Sequence, residues 1–200
     1  MSGIVAQNVG RRSGLIKTVA AGGEWTLILT QTASASATID FTSGLDSTYE
    51  EYCFKFINIH PETDDTNFQF NLSIDSGSNY NVTKTTTYFY ASHKEDDSST
   101  ALSYYAAQDL AQSTSFQNLL TGTGIDNDQS GAGYLHLFNP SSTIFSKHFL
   151  ARCQHYMYVD FSQEYYTAGY GNTTSAVDAV RFQMSSGNID AGTISLFGIG

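Results

Sequence analysis

The stretch "YEEYCFKFINI" (49–59) decides the fold, because its apolar and polar residues alternate with a period of two. Its two faces are Tyr52, Phe54 and Phe56 on one side, and Cys53, Lys55 and Ile57 on the other. The stretch "NFQFNLSI" (67–74) repeats this alternation with Phe68, Phe70, Leu72 and Ile74. Such a period is typical of β-strands that bury one face. The two stretches therefore predict two strands in a β-rich protein.

Composition agrees with this interpretation. The chain has 200 residues, of which 14% are aromatic and only 14% are charged. That length is enough for one well-buried domain, and the low charge content excludes an intrinsically disordered chain. Tyr and Phe number 13 each, and aromatic residues favour strands over helices. We therefore expect an all-β protein.

The same reasoning applied along the chain predicts about nine strands separated by turn-forming residues. The predicted strands are 22–31, 35–43, 49–59, 67–74, 84–92, 133–139, 147–161, 176–184 and 192–199. In the first of them, Trp25, Leu27 and Leu29 are expected to form the buried face. Alternating strands can bury one face against a second sheet, so we expect a jelly-roll-like antiparallel β-sandwich. The stretch "SSTALSYYAAQDLAQS" (98–113) predicts one short helix.

The first residues, "MSGIVAQNVGRRSGLIK", differ from the rest of the chain. They hold three of the nine Lys and Arg and no Asp or Glu, so the remainder carries six basic against nineteen acidic residues, a net charge of −13. That charge disfavours binding to nucleic acid or to an anionic membrane. Gln7 and Asn8 interrupt the apolar run "GIVAQNV", which argues against a signal peptide.

We therefore expect two units, an extended docking arm at 1–21 and a single β-sandwich domain at 22–200. The apolar pairs of the arm cannot bury themselves locally, and its basic residues suit an acidic surface on a neighbouring subunit. The residues expected to dock are Ile4, Val5, Arg11, Arg12, Leu15, Ile16 and Lys17. The alternative is a frayed terminus.

The sequence offers no catalytic motif. It contains no nucleophile elbow, no phosphate-binding loop, no dinucleotide fingerprint and no HExxH zinc motif. The adjacent acidic pairs, such as Glu50–Glu51, would point to opposite faces of a strand rather than converge across a cleft. We therefore expect no enzymatic activity, no catalytic residue and no cofactor.

Metal binding is likewise not expected. Asp126, Asp128, Ser130 and Gly131 match the first half of a calcium loop, but the position that needs a bidentate Glu is Leu137. A polar turn is the alternative. Cys153, His155, His148 and His136 could be drawn as a metal site, although they form no compact ligand motif.

The two cysteines, Cys53 and Cys153, form no CxxC pattern and are too few for a disulfide framework. In a protein that is not exported, we expect two free thiols rather than one disulfide.

Three tyrosines cluster in "QEYYTAGYGN" (163–172), which the glycines predict to be a loop. Tyr165, Tyr166 and Tyr170 could stack on sugars or contact a protein partner, because each offers a rigid apolar face and a hydroxyl. The alternative is that they pack at the end of the sandwich or against a neighbouring subunit.

Several segments together resemble a known family. The beginning "GIVAQNVGRRSGLIK", the central "WTLILTQTASASATIDFTSGLDSTYEEYCFKFINIHPETDD", the later "GYLHLFNPSST" and the end "VRFQMSSGNIDAGTISLFGIG" are similar to small virion structural proteins of tailed, particularly marine, bacteriophages. The family pattern expects Tyr where this chain has Phe197.

The resemblance implies a jelly-roll-like decoration protein, fibre or tail appendage without enzymatic activity. Its partners would be other capsid or tail proteins and further copies of itself, and it would be assembled into virions in the host cytoplasm. Two other hypotheses are a lectin-like module that binds a host polysaccharide through the tyrosine cluster, and a secreted β-sandwich hydrolase. The missing signal sequence and the missing acid–base pair disfavour the hydrolase.

Overall fold

A computed structural model describes residues 23–200, so the predicted arm lies outside the described residues. The described part contains twelve strands and no helix. The strands are β1 (Trp25–Ser36), β2 (Ile39–Phe41), β3 (Glu51–Pro61), β4 (Thr66–Ser73), β5 (Lys84–Lys94), β6 (Thr100–Tyr104), β7 (Gln117–Thr123), β8 (Gly131–Phe138), β9 (Lys147–Met157), β10 (Phe161–Gly171), β11 (Ala179–Met184) and β12 (Ile189–Ile199). Accordingly, this part of the chain has no helix able to cross a membrane.

All strand pairs are antiparallel, and they form one sheet with a branch at β9. One run of strands has the order β1-β12-β3-β8-β9-β10-β5-β6. A second run, β7-β4-β11-β2, joins β9 through the single pair Thr123–Met157. Where the second run ends, Gln31 of β1 donates a side-chain hydrogen bond to the Asp40 carbonyl of β2 at 2.7 Å. The sheet is therefore nearly closed into a barrel.

The core lies inside this curved sheet, and Phe182 is at its centre. The Phe182 ring contacts five other rings, with centroid distances from 5.2 to 6.5 Å. These rings belong to Phe41, Phe54, Phe56, Phe68 and Phe70, and all five side chains are buried. The alternation predicted for 49–59 and 67–74 is confirmed, except that Ile74 follows the last residue of β4 and is exposed.

The sequence prediction was correct on the all-β class and the antiparallel pairing but gave too few strands. Each of the nine predicted segments contains an observed strand, and residues 23–200 add three more, β6, β7 and β10. The predicted helix at 98–113 is wrong. Residues 100–104 form β6, which pairs with the edge of β5, and the chain turns at 106–108. Leu102 is exposed there and does not belong to the buried face of a helix.

The predicted burial of Trp25, Leu27 and Leu29 is also wrong, since all three side chains are exposed. A β-bulge between Leu27 and Leu29 inserts one residue against β12. That extra residue, Ile28, turns inward and packs against the core. Its Cγ2 atom lies only 2.8 Å from where a Cβ would stand on Gly44, so the glycine makes the close approach possible. One inserted residue thus reverses the alternation partway along the strand, so that Leu29, which pairs with the buried Leu196, lies on the opposite face from Trp25 and Leu27.

Candidate functional site

The outward side of the sheet carries a groove formed by four adjacent strands and one residue of β3. We call it the apolar groove, and its volume is about 600 Å³. Its lining includes the side chains of Phe89, Tyr134, Phe138, Leu150, Tyr166 and Ala168, the His136 ring, and the charged residues Glu51 and Arg152. Strands that are buried on one side normally present polar residues on the other. Here the outward side is apolar as well.

Strand register explains why these side chains meet. His136 of β8 pairs with Leu150 of β9, and Leu150 pairs with Ala168 of β10. Paired residues in antiparallel strands point to the same face, so a histidine, a leucine and an alanine follow one another across the sheet. The short side chain of Ala168 leaves the floor of the groove low. A second depression of about 440 Å³ shares Leu150 and Ala168 and extends towards Tyr170.

Aromatic rings form the walls of the apolar groove. Phe89 and Tyr166 stack with their ring centroids 4.8 Å apart and an interplanar angle of 3°. On the opposite side, the His136 ring meets the Tyr134 ring edge-on at 5.1 Å. Trp25, the first residue of β1, contacts the same His136 ring at 6.0 Å. These ring–ring contacts restrict side-chain motion, so the groove is preformed rather than created by a ligand.

The charged groups beside the groove are paired with each other. Arg152 Nε donates a hydrogen bond to Glu164 Oε1, and this contact raises the pKa of Arg152 and lowers that of Glu164. The Tyr166 hydroxyl donates to the other Glu164 oxygen at 3.0 Å. Glu51 Oε1 contacts His136 Nδ1. Because these groups already have partners, the groove presents mainly apolar carbon to an incoming molecule.

Cys53, His136 and Glu51 contact one another in the sequence thiol, imidazole and carboxylate that a catalytic triad uses. Cys53 Sγ lies 3.7 Å from His136 Nε2, and Glu51 contacts the other ring nitrogen. Catalytic thiols are partly exposed and have a lowered pKa. Cys53 is 0% exposed, and burial raises its pKa to about 12. The backbone N–H groups of β3 on both sides of it are engaged in strand pairing, so these groups are not free to bind an oxyanion. The arrangement is therefore a buried polar contact and not an activated nucleophile.

The predicted tyrosine loop is wrong, because residues 161–171 form the long strand β10 between β5 and β9. Tyr165 points into the core, is 1% exposed and donates a hydrogen bond to the Thr121 carbonyl at 3.1 Å. Tyr166 and Tyr170 point outward, Tyr166 into the apolar groove and Tyr170 into the second depression. The glycines suggested a loop but serve close packing. A Cβ on Gly169 would stand 2.6 Å from the Thr85 carbonyl oxygen.

The candidate metal ligands do not converge. Cys153 and His155 face the core, whereas His136 and His148 line outward depressions. Within residues 23–200, no group of three His, Cys, Asp or Glu side chains could hold a metal ion. The residues that match half a calcium loop form a turn, in which Gln129 N donates to the Asp126 carbonyl at 2.8 Å before β8 begins at Gly131.

The sequence reasoning missed the groove because its lining comes from separate strands. One signal could have indicated it. In "GYLHLFN" (133–139), apolar or aromatic residues occupy both faces of a strand, which suggests contacts on both sides. The predicted docking residues at positions 4–17 lie outside the described part. Comparison of the chain with protein-family models, with curated proteins and with solved structures finds no match.

Proposed function

We propose that the chain is a non-enzymatic structural protein of a bacteriophage virion, a capsid decoration protein, fibre or tail appendage that works by assembly. The observation that carries this proposal is the apolar groove, a preformed apolar surface whose charged neighbours are paired with each other. An exposed apolar surface of this kind marks a site of protein–protein contact. The proposal includes a jelly-roll-like arrangement, homo-oligomerisation, contacts with other capsid or tail proteins, and assembly in the host cytoplasm.

The groove suits a protein partner better than a sugar. Sugars present many hydroxyl groups, and a sugar site needs free donors and acceptors beside its aromatic platform. Here Arg152 is paired with Glu164, and Glu51 is paired with His136. The stacked rings of Phe89 and Tyr166 do favour a host glycan, because a sugar can pack against an aromatic face. Tyr166 also belongs to the tyrosine cluster of the lectin-like hypothesis. A glycan array probed with the purified protein tests that second candidate.

The test of the main proposal compares two apolar-to-charged variants. Leu150 lies in the apolar groove and is 52% exposed, whereas Ile144 lies in the turn before β9, outside the groove, and is 73% exposed. We expect wild-type protein and Ile144→Asp to be incorporated into particles, as measured by mass spectrometry of purified virions. Leu150→Asp should be lost from particles, although its melting temperature should stay close to that of wild type. Particles that contain no wild-type protein would refute the proposal.

A further inference from the structure

The shape of the apolar groove limits what can occupy it. Its floor is lowest at Ala168, between the larger side chains of Leu150 and Tyr166. A flat sheet face of a second copy would rest on the surrounding rings and leave this floor uncovered. The side chains of a narrow, extended segment could enter it. The groove therefore favours a peptide segment with aliphatic side chains.

Charge adds a second requirement. Two of the six basic residues in the described part, Lys84 and Lys147, are fully buried. Three others are held in ion pairs, Lys94 with Asp96, Arg152 with Glu164, and Arg181 with Asp40. The surface of residues 23–200 is therefore strongly acidic. An occupant of the groove should be basic as well as apolar.

The N-terminal segment of this chain has both properties. Leu15 and Ile16 form an aliphatic pair, with Arg11 and Arg12 before it, Lys17 after it, and no acidic residue in the first seventeen positions. We propose that Leu15 and Ile16 of one copy enter the apolar groove of a second copy. The basic residues then lie over the acidic surface of that copy, which includes Glu51 at the groove. This inference rests on the proposed function, because it names the contact through which copies assemble.

The placement of Gly23 and Trp25 supports this contact. Gly23 N donates to the Gly200 carbonyl at 2.7 Å, and Trp25 contacts His136 of the groove wall. The preceding segment therefore starts at the end of the β1–β12 pair, at the edge of the apolar face. From Gly23 back to Leu15, an extended chain covers about 27 Å.

That length exceeds the distance from β1 to β9 within one sheet, which is about 19 Å across four strand spacings. The reach is sufficient for a neighbouring copy whose groove lies close to this end. By register, Trp25 lies level with Glu51 and Phe138 at one end of its own groove, and Gly23 and Glu24 continue past this level through hydrogen bonds to the Gly200 carbonyl. Exchange of segments between two copies fills both grooves and closes a symmetric dimer.

Photo-crosslinking of the full-length chain tests the proposal. Ile16 is replaced by p-benzoylphenylalanine, and copies labelled with ¹⁴N and ¹⁵N are mixed, equilibrated and irradiated. We expect hybrid ¹⁴N–¹⁵N products whose cross-link lies in residues 134–138 or 150–168. These products should be lost in Leu150→Asp and in Leu15→Asp, and kept in the control Ile144→Asp. If Leu150→Asp fails to fold, Leu15→Asp decides the test, because that change leaves the groove intact.

Three outcomes would overturn the inference. They are cross-links only within one chain, cross-links to another surface, and hybrid products that Leu150→Asp does not reduce. Virion mass spectrometry separates this failure from failure of the proposed function. Protein that is present in particles without groove cross-links refutes the inference alone. Groove cross-links in a protein that never enters particles refute the virion role and leave the contact between copies standing.

Discussion

Lys84 Nζ lies 2.5 Å from Asn71 Oδ1, and both side chains are 0% exposed. The same amine donates to the Val82 carbonyl at 2.9 Å. Neither acceptor carries a charge, so nothing compensates the ammonium form for its lost hydration. Burial consequently lowers the pKa of Lys84 to about 7.

Replacing Lys84 should remove the destabilisation that a buried lysine causes at and below neutral pH, where the unfolded chain keeps the lysine protonated. The lysine of the unfolded chain stays protonated up to its ordinary pKa of about 10.5, whereas Lys84 in the folded protein loses its proton near pH 7. The unfolded state therefore binds more protons in this window, and the stability contributed at Lys84 rises with pH. We expect the advantage of Lys84→Met over wild type to shrink by about 3 kcal/mol between pH 7 and pH 9.5.

Urea unfolding of both proteins at several pH values measures this difference. Lys55→Met, which removes an exposed lysine of β3, controls for the loss of a charge as such. An advantage of Lys84→Met that stays constant across the window would mean that Lys84 is not desolvated.

Truncation of Phe182 should destabilise the whole fold. Its ring joins the aromatic side chains of β2, β3 and β4, so Phe182→Ala leaves a cavity among five other rings. We expect a loss of about 3–5 kcal/mol in the free energy of unfolding, measured by denaturant titration. Phe145→Ala removes a ring that is 66% exposed and should change stability by less than about 0.5 kcal/mol. Equal effects of the two variants would contradict the central position of Phe182.

The two cysteines should both be free thiols that react only after unfolding. Cys53 faces the outer side of β3, beside His136, whereas Cys153 faces the core side of β9. The two thiols therefore lie on opposite sides of the sheet and do not form a disulfide with each other. Both are buried, and burial raises the pKa of each thiol to about 12. Alkylation without reductant should label neither in the native protein and both in denaturant. Failure to label either cysteine in denaturant would indicate oxidation.

Removal of the N-terminal segment should affect assembly rather than folding. A chain that starts at Thr18 keeps all twelve described strands, so we expect its melting temperature to stay within about 5 °C of wild type. It should no longer bind purified particles. Unfolding of the truncated chain would mean that the segment belongs to the fold itself. Normal incorporation into particles would favour a frayed terminus.

Local alternation of side chains predicted much of this protein from the sequence. The period of two in 49–59 and 67–74 indicated strands and their buried faces, because residues two positions apart point to the same face of a strand. Composition predicted the all-β class, and the isolated positions of Cys53 and Cys153 agreed with free thiols.

Tertiary structure decided what local patterns could not. The bulge at Leu27–Leu29 reversed the alternation of side chains partway along β1, and the neighbours of β10 made a strand of a glycine-containing segment that looked like a loop. The apolar groove depends on the register between β8, β9 and β10, which brings His136, Leu150 and Ala168 together. Register is fixed by hydrogen bonds between residues far apart in the sequence, and a shift of one residue would turn these side chains to the other face. The sequence by itself therefore determined which segments are strands. The pairing of those strands decided which side chains form the site.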